Sequence, residues 1–138
     1  MVYDLTIPKK MRVLQINLKC CYATHGMLEI TARELNIDII LASEYNQDVI
    51  LNNALLITDR KRDVAVKVRN NHANIKIIEH DGLLGVEVEK VLYMSCYVSP
   101  NISTESYGNY VTRLDNVLKQ IGKKKMVVAG NFNAKSHL

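Results

Sequence analysis

The chain has 138 residues, enough for one domain and no more. Its apolar fraction of 48% lets that domain bury a core, and no apolar run approaches the ~20 residues that a membrane-spanning helix needs. The net charge of +4, with a pI near 9.0, is a mild basic excess that suits nucleic acid without requiring it.

Residues 1–10 are polar and break at Pro8, with no apolar stretch of the secretory kind. A cytoplasmic or nuclear location, with no membrane contact, is the expectation. Residues 12–18 alternate, with Val13, Leu14 and Ile16 against Gln15 and Asn17, and predict a central strand. Residues 23–35 predict a helix whose apolar stripe is Leu28, Ala32 and Leu35, with Met27 beside it. Residues 37–42 predict a second strand, ending in Ser43-Glu44-Tyr45-Asn46. Strand, helix and strand in that order predict a parallel crossover.

The middle is strand-rich. Strands are predicted at residues 54–58, 63–68, 74–78, 85–88 and 91–98. Asp59-Arg60-Lys61-Arg62 reads as a turn, and Glu89-Lys90 as the turn of a hairpin. After Pro100-Asn101, the positions Tyr107, Tyr110, Val111, Leu114, Val117, Leu118 and Ile121 fit one helix face. Gly122 stops that helix, and Lys123-Lys124-Lys125 sits at the negative end of its dipole. The last strand is predicted at residues 126–129, with Gly130 at its end.

The three cysteines, Cys20, Cys21 and Cys96, are odd in number and include an adjacent pair. They read as reduced thiols, since neighbouring cysteines rarely bond each other and no CxxC pair suggests zinc. His25, His72, His80 and His137 lack ligand spacing and are assigned to no metal.

Polar residues at strand ends are the candidates for chemistry. Asn17 lies inside a strand pattern that disfavours Asn, so function and a satisfied edge amide compete evenly. Glu44 follows a buried strand and offers oxygen ligands to a hard cation, although a solvated loop acid is the commoner case. Tyr97 closes a strand and can donate to a phosphate oxygen, although core tyrosines are commoner. Asn131 and Asn133 follow the last strand as Gly130-Asn131-Phe132-Asn133-Ala134.

Taken in order, these motifs carry more than each does singly. Leu14-Gln15-Ile16-Asn17-Leu18, Asp38-Ile39-Ile40-Leu41-Ala42-Ser43-Glu44, Tyr97-Val98-Ser99-Pro100-Asn101 and Gly130-Asn131-Phe132-Asn133-Ala134-Lys135-Ser136 resemble the endonuclease/exonuclease/phosphatase superfamily. Within it they most resemble the endonuclease domain of non-LTR retrotransposons. The resemblance implies an α/β fold: the N-terminal part of a four-layered, DNase I-like sandwich, with mixed sheet inside and helices on the outer face. It implies a Mg²⁺-dependent endonuclease that nicks DNA. It makes Glu44 the metal ligand, assisted by Asn17. Tyr97 would hydrogen-bond the scissile phosphate, and Asn133 would stabilise the developing oxyanion.

Position 131 departs from the pattern. The resemblance calls for Gly-Asp-Phe-Asn, whose Asp activates the attacking water. Asn131 is nearly isosteric with Asp but has no basicity at neutral pH, a loss worth about 10²- to 10⁴-fold in rate. A Ser-Asp-His motif from a C-terminal half is also expected and is not in the sequence. Reduced or absent activity is the expectation, with an apolar sheet face left for the missing half or a covering partner. Two alternatives stay open. One is a catalytically dead nucleic-acid-binding module using Arg60-Lys61-Arg62 and Lys123-Lys124-Lys125 on phosphates, clusters that a turn and a helix end also explain. The other is a non-functional fragment of a mobile element.

Overall fold

A computed structural model describes residues 10–46, 56–69 and 76–133. The elements among them are β1 (Val13–Asn17), α1 (Tyr22–Glu34), β2 (Ile39–Ser43), β3 (Leu56–Thr58), β4 (Val64–Val68), β5 (Lys76–His80), β6 (Leu83–Val88), β7 (Val91–Tyr97), α2 (Thr104–Ile121) and β8 (Lys125–Asn131). The predicted starts of β3 and β5, and His72, Ala134, Lys135, Ser136 and His137, lie outside the described residues.

The strands form two four-stranded sheets, ordered β1-β2-β4-β3 and β5-β6-β7-β8. Both are mixed. β1 and β2 are parallel, as the strand–helix–strand order predicts, with α1 as the crossover. β7 and β8 are parallel across α2. The other pairs are antiparallel. Val88 pairs with Val91, so Glu89 and Lys90 are a two-residue hairpin turn. Their φ values of 49° and 68° are the left-handed pair that a type I′ turn requires.

Alternation along the strands builds the layers. Ile39, Leu41, Val64, Val66 and Val68 of one sheet pack on Leu84, Val86, Val88 and Tyr93 of the other. The opposite face of the first sheet packs Ile40, Ala42 and Ala65 against Leu28 and Ala32 of α1. That of the second packs Leu83, Leu92 and Met94 against Tyr110 and Val117 of α2. The result is helix, sheet, sheet, helix, the expected four-layered α/β arrangement with helices outside. Each large core side chain taken fully from water contributes about 1.5–3 kcal/mol.

Four expectations need correction. The first sheet is not left bare for a missing half or a partner, because β5–β8 of this same chain cover it. Met27 and Leu35 are exposed rather than part of the buried stripe of α1, which is His25, Leu28 and Ala32. For Leu35 the cause is the helix end. Asn36 takes φ 52°, the Asn36 N–H donates to Arg33 O, and the Ile37 N–H donates to Ala32 O at 2.9 Å. This Schellman-type turn delivers Ile37 to the core where Leu35 was expected. Val111 is likewise exposed on α2.

Gly130 does not end the last strand. It lies within β8, paired with Cys96, and a Cβ there would overlap the Cys96 carbonyl oxygen. Glycine is needed for close backbone approach, and the strand runs on through Asn131. The C-terminal end of α2 follows the sequence reading, with Gly122, at φ 65°, stopping the helix. At its start, Ser103 Oγ accepts the Ser106 N–H at 3.1 Å.

Candidate functional site

The carboxyl ends of β1, β2, β7 and β8 meet at one rim. In the parallel registers Asn17 lies beside Ser43, and Tyr97 beside Asn131. Glu44 follows β2 directly and crosses to the second sheet, where its Oε1 accepts the Tyr97 hydroxyl at 2.7 Å. The backbone of Glu44 is pinned on both sides. Its N–H donates to Asp63 O at 2.9 Å, and its carbonyl accepts the Cys20 N–H at 2.7 Å. Held this way it adopts φ 53°, an uncommon conformation for a non-glycine residue.

The two asparagines of the last strand are strapped to the loop after β7. The Val98 N–H donates to Asn131 O at 2.9 Å. Asn133 Nδ2 donates to Val98 O at 2.7 Å, and the Asn133 N–H donates to Asn131 Oδ1 at 3.3 Å. A backbone N–H can be accepted only by the amide oxygen, which orients the Asn131 carboxamide. Its Nδ2 has no acceptor among the described residues. Asn17 is oriented likewise, with its Oδ1 accepting the Lys19 N–H at 2.9 Å.

Glu44 and Tyr97 line a cleft of about 460 Å³ with Cys20, Lys61, Arg62 and Asp63. Lys61, Asp63 and Tyr97 also wall an adjoining cleft of about 390 Å³ that reaches Arg113 on α2. Burial, and then the bond to Glu44, push the Tyr97 hydroxyl up to about 12, so it stays protonated as a donor. Asp63 is raised above the ordinary carboxylate value, first by burial and then by the nearby Asp59 carboxylate.

Sequence reasoning missed Asp63 as a wall of this site and Asp59 as its support. Asp59 is buried. Its Oδ1 accepts the N–H groups of Asp63 (2.8 Å) and Val64 (3.1 Å), and its Oδ2 accepts that of Gly82 (2.9 Å) in the second sheet's β5–β6 turn. The Gly82 carbonyl in turn accepts the Tyr97 N–H and the Tyr110 hydroxyl. Asp59 thus ties the β3–β4 turn to the strand that carries Tyr97. The turn was legible in Asp59-Arg60-Lys61-Arg62, but its long-range partner was not. Ser43 Oγ, on the inter-sheet face, is the fully buried side-chain oxygen left without a hydrogen bond among the described residues.

Residues assigned no chemistry have structural places. His25 is buried against Tyr45 with ring centres 5.0 Å apart, and its Nε2 accepts the Asn46 N–H at 3.1 Å. Lys124 pairs with Glu87 at 3.0 Å. Cys96 is buried, and Cys20 and Cys21 are exposed.

Mg²⁺ asks for oxygen donors, commonly one or two carboxylates completed by water and phosphate. Glu44 Oε2 makes no bond among the described residues, and the Asn17 amide oxygen retains a second lone pair. That donor set fits a Mg²⁺ shared with a phosphate. It does not make an all-protein cage, since no group of three or more His, Cys, Asp or Glu arranged to hold a metal ion lies among the described residues.

The chain matches no protein-family sequence profile and no curated protein. In structure it is similar to the endonuclease domain of TRAS1, a telomere-specific non-LTR retrotransposon, with a TM-score of 0.66 and 21% identity. That match covers 91% of this chain and 62% of the TRAS1 domain. It is also similar to a humanized D. rerio TDP2 carrying 14 mutations, with a TM-score of 0.60 and 12% identity. That match covers 91% of this chain and 63% of the other. The chain thus shares the four-layered α/β fold of these two neighbours, and spans under two thirds of either one.

Proposed function

From this nuclease-like fold, we propose that the chain is a Mg²⁺-assisted phosphodiester-binding domain of the DNA endonuclease type whose hydrolysis is slow because position 131 is Asn. Glu44 holds the metal, with Asn17 beside it. When bound, Mg²⁺ neutralises charge on the phosphate oxygens. Tyr97 holds the Glu44 carboxylate in place through its hydroxyl. Asn131 Nδ2 and the second N–H of Asn133 Nδ2 donate to phosphate oxygens, as a fixed amide does for a developing oxyanion.

One observation carries the slow-hydrolysis reading. Asn131 Oδ1 accepts the Asn133 N–H, and its Nδ2 is a donor with no acceptor among the described residues; neither amide atom is basic at neutral pH. A donor binds phosphate but cannot take a proton from water.

The test is plasmid nicking in millimolar Mg²⁺ by the chain and by Asn131→Asp. The expected result is nicking about 10²- to 10⁴-fold faster in the variant. Equal rates in the two would overturn the assignment of Asn131. Mg²⁺ should also raise the unfolding midpoint of the chain and not that of Glu44→Gln, by mass action on the folded state.

The same amide donors favour a second reading, a binding module without catalysis. It predicts retained DNA affinity that falls steeply with salt, and no nicking even in Asn131→Asp.

A further inference from the structure

The opposite pole of the first sheet carries a second cluster. β1 has five residues, so this pole lies about 15 Å from the Glu44 rim. A cavity of about 510 Å³ opens there, walled by Lys10, Arg12, Arg33, Asn36, Asp38 and Arg69. Three segments distant in sequence bring these residues together. Arg12 precedes β1, Arg33 and Asn36 end α1, and Arg69 follows β4.

The backbone fixes their spacing. The Asp38 N–H donates to Arg12 O at 2.8 Å, and the Arg69 N–H donates to Asp38 O at 2.9 Å, extending the ladder by one rung. Arg69 Nη1 donates to Ala32 O in the last turn of α1 (2.6 Å) and to Ile37 O in the turn that follows it (2.8 Å). That bond pair offsets the negative end of the helix dipole and locks the guanidinium plane. Arg69 Nε and Nη2 keep no partner among the described residues.

The charge is unbalanced. Four cations meet one carboxylate, and Asp38 already accepts the Arg12 N–H at 2.9 Å. None of the four cations takes part in the ion pairs among the described residues, Lys61–Asp81, Lys67–Glu29, Lys119–Asp115 and Lys124–Glu87. Guanidinium forks match phosphate oxygens two at a time, and a locked fork loses less freedom on binding.

We propose that this basic cavity is an anion site for two neighbouring phosphate groups, drawn from a nucleic-acid backbone or from a free oligophosphate. It is independent of the Glu44 rim and of the function proposed there.

The test is titration of the full chain with tripolyphosphate and with a short single-stranded oligonucleotide, in EDTA so that metal-dependent binding at Glu44 is silent. The variant is Arg12→Ala/Arg33→Ala, two exposed side chains whose loss leaves Arg69 and the core intact. Its unfolding midpoint should match that of the unaltered chain. Lys76→Ala serves as an exposed lysine on β5 of the second sheet, outside the cavity. The expected result is an affinity loss of at least tenfold in the double variant and little change in Lys76→Ala. For the oligonucleotide, the slope of log affinity against log salt should flatten by about 1.4, or ~0.7 per phosphate contact removed. Tighter binding of the oligonucleotide identifies nucleic acid as the source, and tighter binding of tripolyphosphate identifies the free anion. Equal affinities in the double variant and the unaltered chain, or no binding of either probe, would overturn the proposal.

Discussion

The Tyr97 hydroxyl donates to Glu44 Oε1 at 2.7 Å, joining the end of β7 to the end of β2 across the two sheets. A hydrogen bond to a charged group contributes about 1.5–3 kcal/mol. Tyr97→Phe should therefore lower the unfolding free energy by roughly that amount, and much less in a Glu44→Gln background. Urea denaturation of the double-mutant cycle measures the coupling. A coupling near zero would mean that the pair does not hold the rim together.

The proton of Tyr97 sets a limit at high pH. Its folded value, about 12, lies above the ordinary 10.0, so the folded state favours the protonated form. That stabilisation is complete below pH 10 and is lost as pH rises through about 12. Tyr97→Phe should remove this part of the alkaline loss. An unchanged midpoint-against-pH curve between 10 and 12 would contradict it.

Asp63 works in the opposite direction at neutral pH. Its carboxyl is raised from 3.8 by burial and neighbouring acids. The folded state therefore prefers the protonated form, a preference present below 3.8 and lost as pH rises through the raised value. At pH 7 the ionised group is a liability, so Asp63→Asn should raise the thermal midpoint there. The gain should shrink toward zero in acid. A variant less stable than the parent at neutral pH would show that the carboxylate holds something that the amide cannot.

Asp59→Ala should be far more damaging. It strands three backbone N–H groups, those of Asp63, Val64 and Gly82, in buried surroundings. The expected loss is about 3–9 kcal/mol, summed over three groups that each cost about 1–3. Because Gly82 contacts Tyr97, the same variant should also weaken Mg²⁺ binding at Glu44. Denaturation and a Mg²⁺ thermal-shift series check the two effects separately.

Gly130→Ala tests the corrected end of the last strand. A methyl group there meets the Cys96 carbonyl, which belongs to the backbone and cannot swing away. Destabilisation of at least about 3 kcal/mol, or no soluble protein, is expected. Gly108→Ala is the matched control, with open space around its Cβ position on α2.

Much of this protein is determined by the sequence alone, because periodicity reports which face of an element is apolar. Val64, Val66 and Val68 announce a strand with one inward face. The run from Tyr107 to Ile121 announces a helix, and Glu89-Lys90 a hairpin. The order of Asn17, Glu44, Tyr97 and the Asn131-Phe132-Asn133 loop was enough to indicate the fold. Local pattern cannot say which distant groups meet, because partners across a sheet stack leave no period in the chain. Only the tertiary structure decided that β5–β8 cover the first sheet, and that Glu44 meets Tyr97 53 residues away. It also decided that Asp59 anchors Gly82, and that Arg69 locks onto the end of α1. Gly130 shows the limit most plainly. As a residue type it suggested an ending. What keeps it inside a strand is the nearness of the Cys96 backbone, a property of the packed sheet and not of the sequence around it.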